Sequence, residues 1–263
     1  MRSITRLLSF AVALLLCMPA VAAEWRDSQE AANVFAKNGV IGTFVLYDVE
    51  HGVYTGYNRL RAEERFIPAS TFKIPNTLIG LATGAVKSVD EVLPYGGKPQ
   101  PRKEWEKDMS LREAITVSNV PVYQELARRV GLQPYKEMLD AMEYGNANPG
   151  TVADTFWLKG PLAISALEQA RFMAALAKGT LPISAEAQAA TREITLLEKG
   201  ANWELHGKTG TADAEDPNIG WWVGWVQKDG KIYAFALNID MPTPNAPNRV
   251  ELGKACLKAL GVL

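Results

Sequence analysis

"IGWWVGWVQKDGKIYAFALNID", residues 219–240, is two apolar runs of strand length joined by Lys-Asp-Gly-Lys. An Asp-Gly pair supplies the two positive-φ residues of a tight hairpin turn, so the stretch predicts two neighbouring antiparallel strands. Trp221, Trp222 and Trp225 would make a sugar-binding platform if they shared one exposed face. At alternating spacing they fit better as a strand packing aromatic bulk on both faces. "NWELHGKTGT" (202–211) precedes them as a third strand, and far upstream "TFVLYDVEHGVYTGYN" (43–58) alternates like another hairpin turning near His51 and Gly52. A helix is predicted from Asp27 to Lys37, capped by Asp27 or Ser28 and stopped by Gly39, and another from Arg249 to Leu260. The middle of the chain reads as helical. Ser110 with Glu113 and Ser165 with Glu168 are capping-box pairs opening apolar-periodic runs, and Gly131 and Gly179 stand where such runs end. The class is α+β, three layers in all: a central antiparallel sheet built from both termini and flanked by helices (24–60 plus 200–263), with a mainly helical lobe at 61–199 inserted into it. A pocket is expected at the seam between the lobes.

Residues 1–23 read separately. Arg2 and Arg6 precede an apolar run from Leu7 to Cys17 and the small-residue tail "MPAVAA", a pattern that predicts a secretory leader cleaved after Ala23. The apolar core is too short to span a bilayer, and bulky Leu16 ahead of Cys17 argues against lipidation. Arg2 and Arg6 are the only charges in it, so the mature single domain, 24–263, has 26 bases against 29 acids. Such mild, scattered acidity offers nothing to nucleic acid or an anionic membrane. Export implies a periplasmic protein with no membrane attachment after cleavage. Only Cys256 then remains, which forbids an intrachain disulfide, and two histidines with one cysteine make a metal site unexpected. A monomer and a homodimer are equally compatible with the sequence.

In "PASTFKIPN" (68–76) a serine and a lysine stand three positions apart. Pro75 lacks an N–H, which costs nothing only among the first four helix positions. A helix running to Thr83 and ended by Gly84 should therefore begin near Thr71 or Phe72. Ser70 then sits at its N-terminus, where free amides and the positive dipole end favour developing negative charge, with Lys73 on the same face. One S-x-x-K pair is expected by chance in a chain of this length, about one in all. Two companions give this one weight. "SNV" (118–120) falls at a break between helices, with Asn119 as cap and Pro121 suited to a first helical position. "KTG" (208–210) lies late in a predicted strand, where glycine lets a ligand approach the backbone. His51 and His206 are possible bases for a serine nucleophile; with no acidic partner evident in the pattern, both read as structural, and the lysine explains more.

The ordered set "STFK", "SNV", "YGN" (144–146), "FWLKG" around Trp157 and "KTG" resembles the penicillin-recognising serine enzymes, and within them the class D, oxacillin-hydrolysing, serine β-lactamases. The valine ending the second motif, together with YGN, points to class D. The likeness runs from "GTFVLYD" to "RVELGKACLKAL" and implies a β-lactamase/transpeptidase-like fold, a small β-lactam as substrate and antibiotic resistance as the outcome. It makes Ser70 the nucleophile and Lys73 its base. An ammonium near its usual pKa cannot accept a proton, but apolar burial lowers a lysine by up to ~3–5 units, and Phe72, Ile74 and Val120 supply apolar surroundings. The resemblance further implies that Lys73 captures CO2 as a carbamate (N6-carboxylysine), held by the Trp157 indole, with no other cofactor and no metal. Ser118 would relay a proton to the leaving nitrogen. Lys208 would keep the field positive near Ser118 and the substrate carboxylate, Thr209 and Arg249 would hold that carboxylate with Gly210 also contacting the substrate, and the amides of Ser70 and Thr211 would form the oxyanion hole. Trp105 would stand at the cleft rim, and Tyr144 and Asn146 would support the site. Two alternatives share the motifs: a β-lactam sensor that stays acylated, and a cell-wall D-alanyl peptidase, which Val120 and the short chain disfavour.

Overall fold

A computed structural model describes residues 24–242 and 247–263. The predicted leader, with Arg2, Arg6 and Cys17, lies outside these residues. The chain runs β1 (Glu24–Asp27), α1 (Gln29–Asn38), β2 (Gly42–Asp48), β3 (Val53–Tyr57), α2 (Arg59–Glu63), β4 (Arg65–Phe66), a 3₁₀ turn (Ala69–Phe72) and α3 (Lys73–Ala82). It continues through β5 (Val92–Leu93), a second 3₁₀ turn (Lys103–Trp105), β6 (Met109–Ser110), α4 (Leu111–Thr116), α5 (Val120–Val130), α6 (Leu132–Ala141), β7 (Ile164–Ser165), α7 (Ala166–Lys178) and α8 (Ala185–Ile194). It closes with β8 (Leu196–Lys199), β9 (Trp203–Ala212), β10 (Ile219–Lys228), β11 (Lys231–Asp240) and α9 (Arg249–Ala259).

Seven strands form the central sheet in the order β1-β3-β2-β11-β10-β9-β8. Its middle is the hairpin of residues 219–240, paired from Ile219↔Asp240 to Lys228↔Lys231. Asp229 (φ 50°) and Gly230 (φ 78°) both take the left-handed conformation that the turn needs. Buried residues fall on both faces because both are covered. Phe44, Leu46, Trp222, Phe235 and Leu237 pack with Leu252, Cys256 and Leu257 of α9. On the other face Val45, Trp221, Val223, Trp225 and Ala236 join the core of the helical lobe. Helix α9 lies so close to the sheet that a Cβ on Gly253 would come within 2.3 Å of the Trp222 ring.

The predicted helix ends hold. Ser28 and Gly39 bound α1, both capping boxes form, and Gly179 (φ 70°) closes α7. Four details differ. The sheet is antiparallel except at one edge, where β1 lies parallel to β3. Neither β1 (EWRD) nor β8 (LLEK) was predicted, since neither alternates. Each is recruited by the unpaired backbone of the strand beside it. Finally, Ser70 lies in the 3₁₀ turn that leads into α3, and Pro121 takes the second rather than the first position of α5.

β9 and β10 approach closely where Gly207 faces Gly224. A Cβ on Gly224 would sit 2.0 Å from the His206 carbonyl oxygen, a backbone atom that cannot rotate aside. Gly224→Ala is therefore expected to cost about 3 kcal/mol of stability, read as a lowered urea midpoint at unchanged m-value.

Candidate active site

Ser70 is held on a turn braced from three sides. Ala69 is left-handed (φ 48°), and Thr71 closes the turn by donating both its N–H (3.2 Å) and its hydroxyl (2.7 Å) to the Pro68 carbonyl. Gln169, buried on α7, donates to Thr71 Oγ1 at 2.9 Å. Ahead of the turn, Ile67 gives its N–H to Glu215 Oε1 (3.0 Å) and takes the Trp221 indole N–H on its carbonyl (2.9 Å). From the third side comes β9. A Cβ on Gly210 would lie 3.0 Å from the Pro68 carbonyl and 3.1 Å from Thr71 N, so a bare glycine lets strand and turn meet.

Lys73 begins α3 one turn beyond Ser70 and is fully buried. Its Nζ donates to Ser70 Oγ at 3.0 Å and lies 5.3 Å from the centre of the Tyr123 ring, whose hydroxyl meets Thr77 Oγ1 at 3.0 Å. Burial holds the amine well below the usual lysine pKa, and the positive charges of Lys208 and Arg102 push the same way. Phe72, the residue before it, is sandwiched in an aromatic cluster in which Trp157 stacks at 5.5 Å and Tyr144 meets it edge-on at 5.8 Å. The Trp157 Nε1–H is buried without an acceptor, a condition that costs about 1–3 kcal/mol if nothing relieves it. Asn146 ties the YGN turn to the strap following Trp157, donating to the Pro161 carbonyl (2.8 Å) and accepting from Ala163 N–H (3.1 Å).

Ser118 sits between α4 and α5 with a left-handed backbone (φ 56°). Its neighbours are pinned. Asn119 caps α5 by accepting from Val122 N–H (3.0 Å) and donates to the Trp105 carbonyl (3.2 Å), while the Trp105 indole donates to the Val117 carbonyl (3.0 Å). On β9, Lys208 Nζ donates to the Thr209 carbonyl at 3.0 Å. Burial, then the charges of Arg249 and Arg102, bring the pKa of Lys208 down to about 7. Arg249, first in α9, donates to Thr211 Oγ1 at 2.9 Å; burial first, then Arg102, lowers its pKa as well. Amide directions alternate along an antiparallel strand. The Gly207 N–H points away from β10, to the Thr195 carbonyl (2.9 Å). The Thr211 N–H, four residues on, points to the same edge, which β8 leaves open because its pairing stops at His206.

Ser70, Trp105, Ser118, Val120, Lys208, Thr209, Gly210, Thr211 and Arg249 thus line one cavity of about 810 Å³. Lys73 and Trp157 are buried outside its lining. Among the lining residues the sequence reading missed are Arg102, Glu104, Leu158, Lys159 and Asp213. Leu158 and Lys159 adjoin Trp157 and were within reach; nothing local distinguished Arg102 from a solvated arginine. The two histidines stand elsewhere. His51 meets Asp48 at 2.8 Å in the β2–β3 turn, and His206 stacks on Trp225 at 4.3 Å with Glu204 3.7 Å away. Each therefore has the acidic neighbour the sequence reading did not find, yet neither lines the cavity with Ser70. Among the described residues no cluster of three or more His, Cys, Asp or Glu could hold a metal ion, and no helix is long and apolar enough to cross a membrane.

Comparison with known proteins identifies the family and the fold. Residues 29–258 match the family model for the penicillin-binding protein transpeptidase domain. The β-lactamase OXA-5 of Pseudomonas aeruginosa is 41% identical over 233 residues, 87% of each chain, and OXA-48 of Klebsiella pneumoniae is 39% identical over 234 residues, 89% of this chain and 88% of that one. Among solved structures, FUS-1 (OXA-85), a class D β-lactamase from Fusobacterium nucleatum subsp. polymorphum, superposes with a TM-score of 0.87 at 44% identity, covering 90% of this chain and 100% of the other.

Proposed function

The chain belongs to the class D serine β-lactamases, and from that premise we propose that it hydrolyses penicillins, oxacillin-type ones included, through an acyl-enzyme on Ser70, with Lys73 carboxylated and acting as base in both half-reactions. The observation that carries the reading is the buried Lys73 amine, 3.0 Å from the Ser70 hydroxyl and unmatched by any carboxylate within ion-pair distance among the described residues. Secretion through residues 1–23 and a role in antibiotic resistance belong to the same proposal.

Ser70 Oγ attacks the lactam carbonyl from a turn that cannot drift, and the N–H groups of Ser70 and Thr211 receive the oxyanion. Thr209 and Arg249 hold the substrate carboxylate, Arg249 with a planar fork suited to it. Ser118 carries a proton to the departing nitrogen, and Lys208 keeps the potential positive beside it. The Lys73 pocket fits a carbamate: burial keeps the amine neutral enough to combine with CO2, and the Trp157 N–H lacks an acceptor that such an anion would provide. Bound there, the carbamate would supply a negative charge and oxygen acceptors for the proton of Ser70 and later of the hydrolytic water.

The test is steady-state hydrolysis of benzylpenicillin against pH, with and without bicarbonate. Only the neutral amine combines with CO2, so the active fraction shrinks as pH falls through the depressed Lys73 pKa and grows as pH rises through it. Activity should fall several-fold on the acid side, and added bicarbonate should restore it. Indifference to both would remove the carbamate. A single burst of acylation with no turnover at any pH would replace the hydrolase by the sensor reading.

A further inference from the structure

We propose that Arg102 is a second anion-recognition residue of the cavity, which selects β-lactams carrying an acid group on the acyl side chain. The inference rests on the β-lactamase reading above and names the substrate subclass it leaves open.

The carboxylate common to penicillins is accounted for by Thr209 and Arg249 with Lys208 beside them. Arg102 comes from a different segment, ahead of the 3₁₀ turn Lys103–Trp105, and lines the same cavity. Its guanidinium lies 5.2 Å from the centre of the Trp105 ring. That ring is itself fixed, because the Trp105 indole and carbonyl are tied to Val117 and Asn119 at 3.0 and 3.2 Å. Stacking on an immobile aromatic holds a guanidinium by its face and leaves its N–H edge for a ligand. Among the described residues, the acid that meets Arg102 is Glu104, at 3.5 Å, the outer limit of a hydrogen bond, and both side chains are more than half exposed. The fork is therefore placed but weakly occupied.

The charge balance of the cavity points the same way: its lining carries Arg102, Lys159, Lys208 and Arg249 against the acids Glu104 and Asp213. Arg102 is near enough to Lys73, Lys208 and Arg249 to disfavour the charged form of each. Cations that repel one another across a cavity are stabilised by an anion that enters it. A substrate with one carboxylate satisfies the Lys208–Arg249 end and leaves Arg102 facing water. A substrate with a second carboxylate on its acyl side chain has an acceptor for the Arg102 fork, a bidentate partner geometry.

The experiment compares benzylpenicillin with α-carboxybenzylpenicillin, which differ by one side-chain carboxylate, on the unsubstituted enzyme, Arg102→Gln and Arg102→Lys. Arg102→Gln should raise KM for the dicarboxylate about tenfold more than KM for benzylpenicillin, roughly 1.4 kcal/mol of lost binding, with kcat for the two substrates changed alike. Arg102→Lys should recover part of the difference, since it keeps the charge and loses the fork. Roughly 0.5 M NaCl should shrink the difference in the unsubstituted enzyme, because the pair is exposed to solvent. Equal KM changes for both penicillins, or none, with both still hydrolysed, would overturn the role of Arg102 alone. Failure of the unsubstituted protein to hydrolyse either would overturn the β-lactamase reading and this proposal with it.

Discussion

Ser70→Ala is expected to take up no penicillin. Intact-mass spectrometry after incubation with benzylpenicillin should show the unmodified chain alone, where the unsubstituted protein gains one adduct, and turnover should fall ~10⁴–10⁶-fold, as when a serine nucleophile is removed from its catalytic unit. The size of the loss follows from how completely the site is organised around one oxygen. The Ala69–Phe72 turn, the Thr71 bonds to Pro68, the Gln169 brace and the close passage of Gly210 all fix the position of Ser70. The amine that would take its proton lies 3.0 Å away. The other hydroxyl on the cavity nearest in role, Ser118, stands on a separate helix junction between α4 and α5. The scaffold should survive, because Ser70 is only partly buried and its hydroxyl meets Lys73, three residues along the chain, rather than a distant element. An adduct on Ser70→Ala, mapped to any other residue, would move the nucleophile and dissolve the proposed mechanism.

The sequence made local rules readable and left tertiary placements unread. Turn chemistry at Asp229–Gly230, the capping boxes at Ser110 and Ser165 and the glycine stop at Gly179 are decided within a few residues, and each stands as expected. The edge strands β1 and β8 are not decided locally. Apart from half-buried Trp25 their residues are polar or exposed, and they become strands because β3 and β9 present open backbone. The site divides in the same manner. The serine, lysine and KTG triplets could be read as an ordered set, whereas the position of Arg102 near three other cations exists only once the loop before Trp105 folds over the cavity. The apolar setting of Lys73 also has a contributor beyond the expected Phe72, Ile74 and Val120. Phe72 and Ile74 adjoin it in sequence, but successive helix residues point in different directions. The ring that faces its amine is that of Tyr123, from α5, fifty positions on. The carboxylates beside the histidines were the avoidable miss: Asp48 lies three residues before His51 in a tight turn, and Glu204 shares a strand face with His206.

Lys73→Ala should lower kcat/KM by ~10²–10⁴-fold, the range for losing a positioned base, and bicarbonate should restore nothing, because the amine that combines with CO2 is gone. Rate alone does not separate a base from a structural lysine; stability against pH does. The exchange Lys73→Met keeps the volume and drops the charge. In the native protein, desolvation first and then the neighbouring cations Lys208 and Arg102 depress the pKa, so folding opposes the protonated form. That penalty is fully present below the folded pKa and fades as pH rises toward the unfolded value, about 10.4. In CO2-depleted buffer, Lys73→Met should therefore be more stable than the unsubstituted protein by ~1–4 kcal/mol at about pH 6, with the advantage declining toward about pH 10. Urea midpoints across that range provide the measurement. An advantage that stays level with pH, or a loss of stability at about pH 6, would mean that the pocket tolerates an ammonium, and an amine content with its charge has no reason to accept a proton from Ser70 or to combine with CO2.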